Sequence, residues 1–416
     1  MRTDRRDFMA MTAAAGVAAA GAGAALAHRA PAELKPITGG AAPISTEERL
    51  ARIARAQRLM RQHKLSALLI EPGASLTYFT GVKWWRSERL TAAVIPAEGE
   101  IAIVTPHFEE PSVRESLKVP GEVRAWNEDE DPLRTVAGFL RDRKATGAVG
   151  VEETVRYFAA AGLAKALPQA RIRSANPVVR ALRMIKSPSE LALMQAATDV
   201  TIAAYRHTAA RIEKGMTPAD IGSIMNRATQ ALGGTPEFAL VLLGEASAYP
   251  HGTGKPQQVR EGEIVLMDCG CNVEGYQSDV SRTFVFGQAT PEQRRVWSHM
   301  HRGQQIAFAA AQIGRPAGSV DDSVRVFYES LGYGPGYKLP GLSHRTGHGI
   351  GLEGHEWPNL VRGEDTLLAP GMCFSDEPGL YLPGKFGVRL EDCFYMTPAG
   401  PRWFSTPPPS LDDPFG

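Results

Sequence analysis

The chain has 416 residues, 43% of them hydrophobic and 22% charged, which are the proportions of a globular protein long enough for two domains plus a targeting segment. Lys and Arg number 46 against 45 Asp and Glu. With no basic run in that balance, nucleic acid and anionic membrane surfaces find no support as main partners, and a small or peptidic substrate fits better.

In chain order, Asp4-Arg5-Arg6-Asp7-Phe8-Met9 precedes a stretch from Ala10 to Leu26 made almost wholly of Ala, Gly and Val. The arginine pair, an apolar segment too short for an anchor, and the small residues of Ala25-Leu26-Ala27 resemble a twin-arginine export signal over residues 1–27, cut after Ala27. No Cys follows for a lipid anchor. The expected product is periplasmic or secreted, without a stable membrane anchor, and carries 43 basic and 43 acidic residues. Residues 28–43, with Pro31, Pro36, Gly39, Gly40 and Pro43, read as a linker.

Ser45-Thr46-Glu47-Glu48 opens a helix toward Gln62, and the apolar runs Ala67–Ile70, Ala92–Ile95 and Ile101–Val104 then alternate with helical stretches such as Leu133 to Arg143. This predicts an α/β N-terminal domain over residues 44–184. A second domain, 185–405, starts at Ser187-Pro188, a cap followed by a first-turn proline, and a tail follows at 406–416. Leu191, Met194, Thr198, Ile202 and Tyr205 recur at helical spacing and read as core. Helices opening at Thr217-Pro218 and Thr290-Pro291, and a stretch from Pro316 to Leu331, suggest an α+β domain of two similar halves, each a helix pair before strands.

Glu263 to Cys271 is a buried-strand pattern containing Asp268, and Tyr276 to Phe286 reads as its returning partner. A hairpin centred between Val273 and Glu274 sets Asp268 opposite Asp279, and two aspartates so placed repel. Glu377 and Glu391 lie beside apolar, strand-like residues. Burying four unpartnered carboxylates costs several kcal/mol or more for each of the ions, so about four positive charges must sit among them. A single imidazole among oxygens suits two divalent cations, Mn first and then Co, Zn or Fe, and not a thiolate zinc site. The imidazole lies in the Gly-rich stretch His344 to Glu356, where His348 is assigned to the metal while His344 and His355 face the substrate.

These segments resemble the pita-bread metallopeptidases, especially the prolidase and proline-specific aminopeptidase branch that includes creatinase. All five metal positions of that family are filled, by Asp268, Asp279, His348, Glu377 and Glu391. The resemblance implies a pita-bread catalytic domain, Asp279 and Glu391 as bridges between two metals, Asp268 on one metal, and His348 with Glu377 on the other. It implies a metal-held water as nucleophile, Glu377 as its proton acceptor, and His251 with His355 on the scissile carbonyl or leaving nitrogen. Export of an already folded chain suits an enzyme that collects metal first. Arg389 is expected either to brace a carboxylate ligand or to bind a substrate carboxyl group. The chain departs from the family at Gly354, where a β-branched residue is usual. Cys269, Cys271, Cys373 and Cys393 match no zinc spacing and are expected as free buried thiols, with a periplasmic disulfide as the lesser alternative. Trp84-Trp85 belong either to the N-domain core or, as in relatives, to the pocket of a partner subunit, and a homodimer is expected. An Xaa-Pro dipeptidase or aminopeptidase is the first reading. A two-metal hydrolase of another amide comes second, and a metal-free creatinase-like hydrolase or peptide-binding protein third.

Overall fold

A computed structural model describes residues 33–415. Arg5, Arg6, Ala27 and the first part of the linker lie outside the described residues. The first domain carries α1 (Thr46–Gln62), β1 (Ala67–Ile70), α2 (Ala74–Thr80), β2 (Ala92–Pro96), β3 (Ile101–Pro106), α3 (Glu110–Ser116), β4 (Gly121–Trp126), α4 (Pro132–Asp142), β5 (Ala148–Val151), α5 (Tyr157–Ala166), β6 (Arg171–Ser174) and α6 (Asn176–Arg183). Its six strands form one mixed sheet in the order β4-β3-β2-β1-β5-β6. Successive side chains on a strand point to opposite faces, so each fully buried run feeds two cores. Leu68, Ile70, Ile95 and Ile103 pack with Met60, Phe79 and Leu182, whereas Leu69, Val94 and Val104 pack with Val136, Leu140 and Leu163.

In the second domain α7 (Pro188–Ala209) and α8 (Pro218–Ala231) precede β7 (Thr235–Leu243), β8 (Glu263–Val273), β9 (Tyr276–Gln277) and β10 (Val280–Phe286). Then α9 (Pro291–Ala310) and α10 (Gly318–Ser330) precede β11 (Gly347–Gly349), β12 (Glu356–Leu360), β13 (Cys373–Asp376), β14 (Gly379–Leu382), β15 (Phe386–Arg389), β16 (Asp392–Thr397) and β17 (Gly400–Trp403). Ser187, Thr217 and Thr290 each close a capping box ahead of a first-turn proline, which fixes where α7, α8 and α9 begin. Of the expected stripe on α7, Met194, Thr198 and Tyr205 are buried, but Leu191 and Ile202 are only half-buried. The deep face is wider than one stripe and takes in Leu193, Ala197, Val200 and Ala204, because α7 lies along β8.

The hairpin needs a correction. Glu274 (φ 53) and Gly275 (φ 92) are both left-handed, which makes a two-residue turn centred one residue later than expected. Asn272 pairs with Gln277, and Asp268 faces Ser281 instead of Asp279. The partner shifts by two positions, an even number, so both aspartates still project from the same face. The two halves of the domain meet at an isolated bridge between Ser281 and Glu391. Segments flanking the two domains are tied to this one: the Ile37 N–H donates to the Leu232 carbonyl at 3.0 Å, and Leu411 is buried in its core.

Candidate metal centre

Asp268 comes from β8, Asp279 from the link between β9 and β10, His348 from β11, Glu377 from the residue after β13, and Glu391 from the joint between β15 and β16. Ligand-capable atoms of Asp268, Asp279 and Glu391 lie within 4.8 Å of one another, as do those of His348, Glu377 and Glu391. His348 Nε2 stands 3.3 Å from Glu377 Oε1 and 3.7 Å from both Asp279 Oδ2 and Glu391 Oε1. Its Nδ1 is 3.1 Å from the Gly349 carbonyl, and with the proton held there the Nε2 lone pair faces the carboxylates.

The surroundings hold these groups still. The His348 N–H donates to Ser375 Oγ at 3.0 Å, and Gly347 permits that approach, since a Cβ there would sit 2.1 Å from the Ser375 carbonyl oxygen. On α10, buried Asp321 accepts from the Thr346 N–H and hydroxyl at 3.1 and 2.7 Å. It also pairs at 2.7 Å with Arg325, which donates on to the Leu342 and His344 carbonyls. Ser281 Oγ donates to Glu391 Oε2 at 3.0 Å, and the Cys393 thiol donates to the Asp279 carbonyl at 3.3 Å.

Three carboxylate oxygens at the centre, Asp268 Oδ1, Asp279 Oδ1 and Glu391 Oε1, are buried without any hydrogen-bond partner. Burial, reinforced by Asp268, pushes the Asp279 carboxyl well above its usual range; burial and then Asp279 do the same to Glu391. Burial carries Glu377 up to about 7 and drives the His348 imidazole well below its ordinary value. Arg389 is a cation paired with one of the four acids and felt by the other three, and its guanidinium is committed. It pairs with Asp268, donates to Ser281 Oγ at 3.0 Å, and reaches the Pro250 carbonyl and Tyr381 hydroxyl at 3.3 and 3.4 Å. Of its two expected roles, the geometry supports bracing a ligand. Converging oxygens without donors, with one imidazole nitrogen aimed among them, fit divalent cations.

A pH dependence follows from these shifts. Glu377 is raised in the folded state from 4.5 to about 7, so its contribution to stability is full below about 4.5 and is lost as pH climbs through about 7. Asp279 and Glu391 shift in the same direction. Chelated protein is therefore expected to melt at progressively lower temperature across that window, and saturating divalent cation, which takes the place of the protons, to remove the trend. Thermal melts with chelator and with cation check this; a flat chelated series contradicts it.

His344 is held by the Tyr381 hydroxyl at 2.8 Å and the Arg345 carbonyl at 2.7 Å, with Glu377 Oε2 at 4.0 Å, and burial brings its pKa down to about 3. His251 and His355 are exposed and face a cavity of about 560 Å³ above the cluster, and the His355 ring lies 4.1 Å from that of His348. Gln277 occupies the room that Gly354 leaves; a Cβ on Gly354 would stand 3.2 Å from its Oε1. All four cysteines are free and buried. Trp84 bonds Glu109 at 3.2 Å and stacks on Trp85, which is 67% exposed. Sequence reasoning missed Asp321, Arg325, Ser375, Ser281, Tyr381 and Gln277. The available signal was the spacing Asp321/Arg325, a charged i,i+4 pair on the same face as Val320, Val324 and Tyr328.

Residues 192–398 match Metallopeptidase family M24, and residues 52–185 match the Creatinase/Prolidase N-terminal domain. The chain is 34% identical over 354 residues to the probable dipeptidase PepE of Mycobacterium bovis, covering 84% of this chain and 92% of that protein. It is 31% identical over 339 residues to the Xaa-Pro dipeptidase of Lactobacillus helveticus, covering 80% and 90%. The crystal structure of dipeptidase PepE from Mycobacterium ulcerans superposes with a TM-score of 0.81 at 33% identity, over 89% of this chain and 99% of that one. Taken with an acid-rich cluster suited to divalent cations, these matches establish that the chain belongs to metallopeptidase family M24, a metal-dependent peptidase with a pita-bread domain behind a creatinase-type N-terminal domain.

Proposed function

We propose that this protein is an exported peptidase that hydrolyses Xaa-Pro bonds with two divalent cations. The observation that carries the two-cation reading is the set of three buried, unpartnered carboxylate oxygens around His348 Nε2. Asp279 and Glu391 would bridge the pair, Asp268 would hold one cation, and His348 with Glu377 the other; the donor set suits Mn first, then Co, Zn or Fe. Bound there, the cations supply an acidified water and polarise the scissile carbonyl. Glu377, beside His348 Nε2 at 3.3 Å, would be placed to take a proton from the attacking water and to deliver it to the leaving nitrogen. His251 and His355, exposed toward the cavity, are placed to hydrogen-bond the carbonyl oxygen or the leaving group. The proline preference rests on similarity to proteins named Xaa-Pro dipeptidase and prolidase. Metal-reconstituted enzyme, assayed on proline dipeptides, longer Xaa-Pro peptides and non-proline amides, tests both parts. Cleavage of only the non-proline amides refutes the proline reading, and turnover in metal-free protein refutes the cation reading.

Export belongs to the same proposal and rests on Arg5-Arg6 and the small residues before Ala27. Replacing both arginines by Lys is expected to leave the protein in the cytoplasm, as read by fractionation; continued export contradicts the reading. A homodimer is proposed from the exposed, stacked Trp85, and a monomer in sedimentation at working concentration disposes of it.

A further inference from the structure

Phe238 and Leu240, two apart on β7, line the cavity above the metal cluster, so in a regular strand Glu237 would point away from it. Glu237 lines the same cavity because β7 bulges there. Pro236 pairs with Cys271 and Phe238 with Gly270, which leaves Glu237 as the extra residue, exposed at the mouth. Its Oε1 accepts from Asn272 Nδ2, and Asn272 is the cross-strand partner of Gln277. The Gln277 amide is fixed by donation from Nε2 to the Leu352 carbonyl at 3.3 Å, and its Oε1, turned to the space beside Gly354, has no donor among the described residues. The other fixed charges of the cavity wall are committed. Arg389 pairs with Asp268 and Glu353 with Arg183, while Asp268, Asp279, Glu377 and Glu391 belong to the cation set. Glu237 has no ion-pair partner among the described residues, so the cavity presents one carboxylate without a cation of its own.

A carboxylate with an amide oxygen nearby accepts from an ammonium or guanidinium and repels a second anion. In an Xaa-Pro substrate the proline ring offers neither charge nor donor, so a side chain that reaches Glu237 must belong to the residue before the bond. Leu240 pairs with the ligand Asp268, and Glu237 stands three residues away along β7. That is roughly 10 Å, within the joint reach of a glutamate and the four-carbon stem of a lysine. We propose that Glu237 and Gln277 read the side chain of the substrate's N-terminal residue and select a basic one, Lys or Arg. The inference rests on the peptidase reading above.

The test measures kcat/KM of metal-reconstituted enzyme on Lys-Pro and on norleucyl-Pro, which keeps the stem and lacks the ammonium. Wild type is expected to favour Lys-Pro by roughly 3- to 10-fold, the range for a partly exposed charged hydrogen bond, and by less as salt is raised. Glu237→Gln should lose most of that ratio and Gln277→Leu a smaller part, the loss falling on Lys-Pro. Glu237→Asp should keep some of the preference, and Glu237→Lys should invert it. Wild type that shows no preference overturns the proposal. So does a Glu237→Gln variant that slows both substrates alike, since the carboxylate would then serve the α-ammonium that both carry. The wild-type ratio and its salt dependence decide the matter if the variants fail to fold. If proline substrates are not cut, the same ratio is taken on Lys-Ala and norleucyl-Ala. If no peptide is cut, Kd of Lys-Pro against norleucyl-Pro by calorimetry separates failure of the peptidase reading from failure of this one.

Discussion

Replacing Asp279 by Asn is expected to cut both metal affinity and peptide hydrolysis by more than about 100-fold, beyond the 10–100-fold range seen when only an outer-shell partner of a metal ligand is lost. The metal-free variant should nevertheless be at least as stable as metal-free wild type. Asp279 is buried against Asp268 and Glu391, and burial with the Asp268 charge pushes its carboxyl well above the usual range toward the neutral form. Asn imitates that neutral form and can donate to the neighbouring carboxylates, so a repulsion is removed where no cation is present. With cation present the order reverses, because wild type gains RT ln(1 + [L]/Kd) of stability that the variant cannot. Elemental analysis, hydrolysis rate, and melting with and without chelator give the required readings. A variant that keeps both metal and rate sinks the two-cation mechanism.

Replacing Asp321 by Ala is expected to cost about 3–5 kcal/mol of stability, the range for removing one partner of a buried ion pair. Asp321 is 0% and Arg325 1% exposed, so the guanidinium left behind cannot recover water in place. The same carboxylate holds the Thr346 N–H and hydroxyl and the Arg362 N–H, so the segment leading to His348 loses its tether as well. Urea unfolding measures the loss. A cost below about 1 kcal/mol would mean that the site relaxes enough to hydrate Arg325.

The metal-binding constellation was legible because its chemistry is intolerant: acids do not stand in apolar strands without a counter-charge, and a Gly-flanked His has few bland explanations. Helix starts were legible where Ser or Thr precedes Pro, at Ser187, Thr217 and Thr290. The strands β4 and β6 were not. Arg171-Ile172-Arg173-Ser174 is a polar edge strand, and Gly121 to Trp126 buries only every third residue, so neither shows the apolar run that marks β1, β2 and β3. The hairpin turn was placed one residue early, and the strand partners therefore two positions off, because Glu274, an unexpected left-handed position, pairs with Gly275 in the turn. The bracing around the cluster was hidden for a different reason. Asp321 and Ser375 act at long sequence range, and nothing local marks them as partners of residues 346 and 348.

The bridge between Ser281 and Glu391 joins segments 110 positions apart in the chain, and it is where the two halves of the ligand set come together. A chain halted before Glu391 holds Asp268 and Asp279 on a hairpin with no second half to close over them, whereas the sheet of the first domain can already be complete. A full ligand set is thus a seal of finished synthesis: a chain could hold cations on all five ligands only after the last of them has arrived and docked, so metal bound by a preparation would mark chains completed past Glu391.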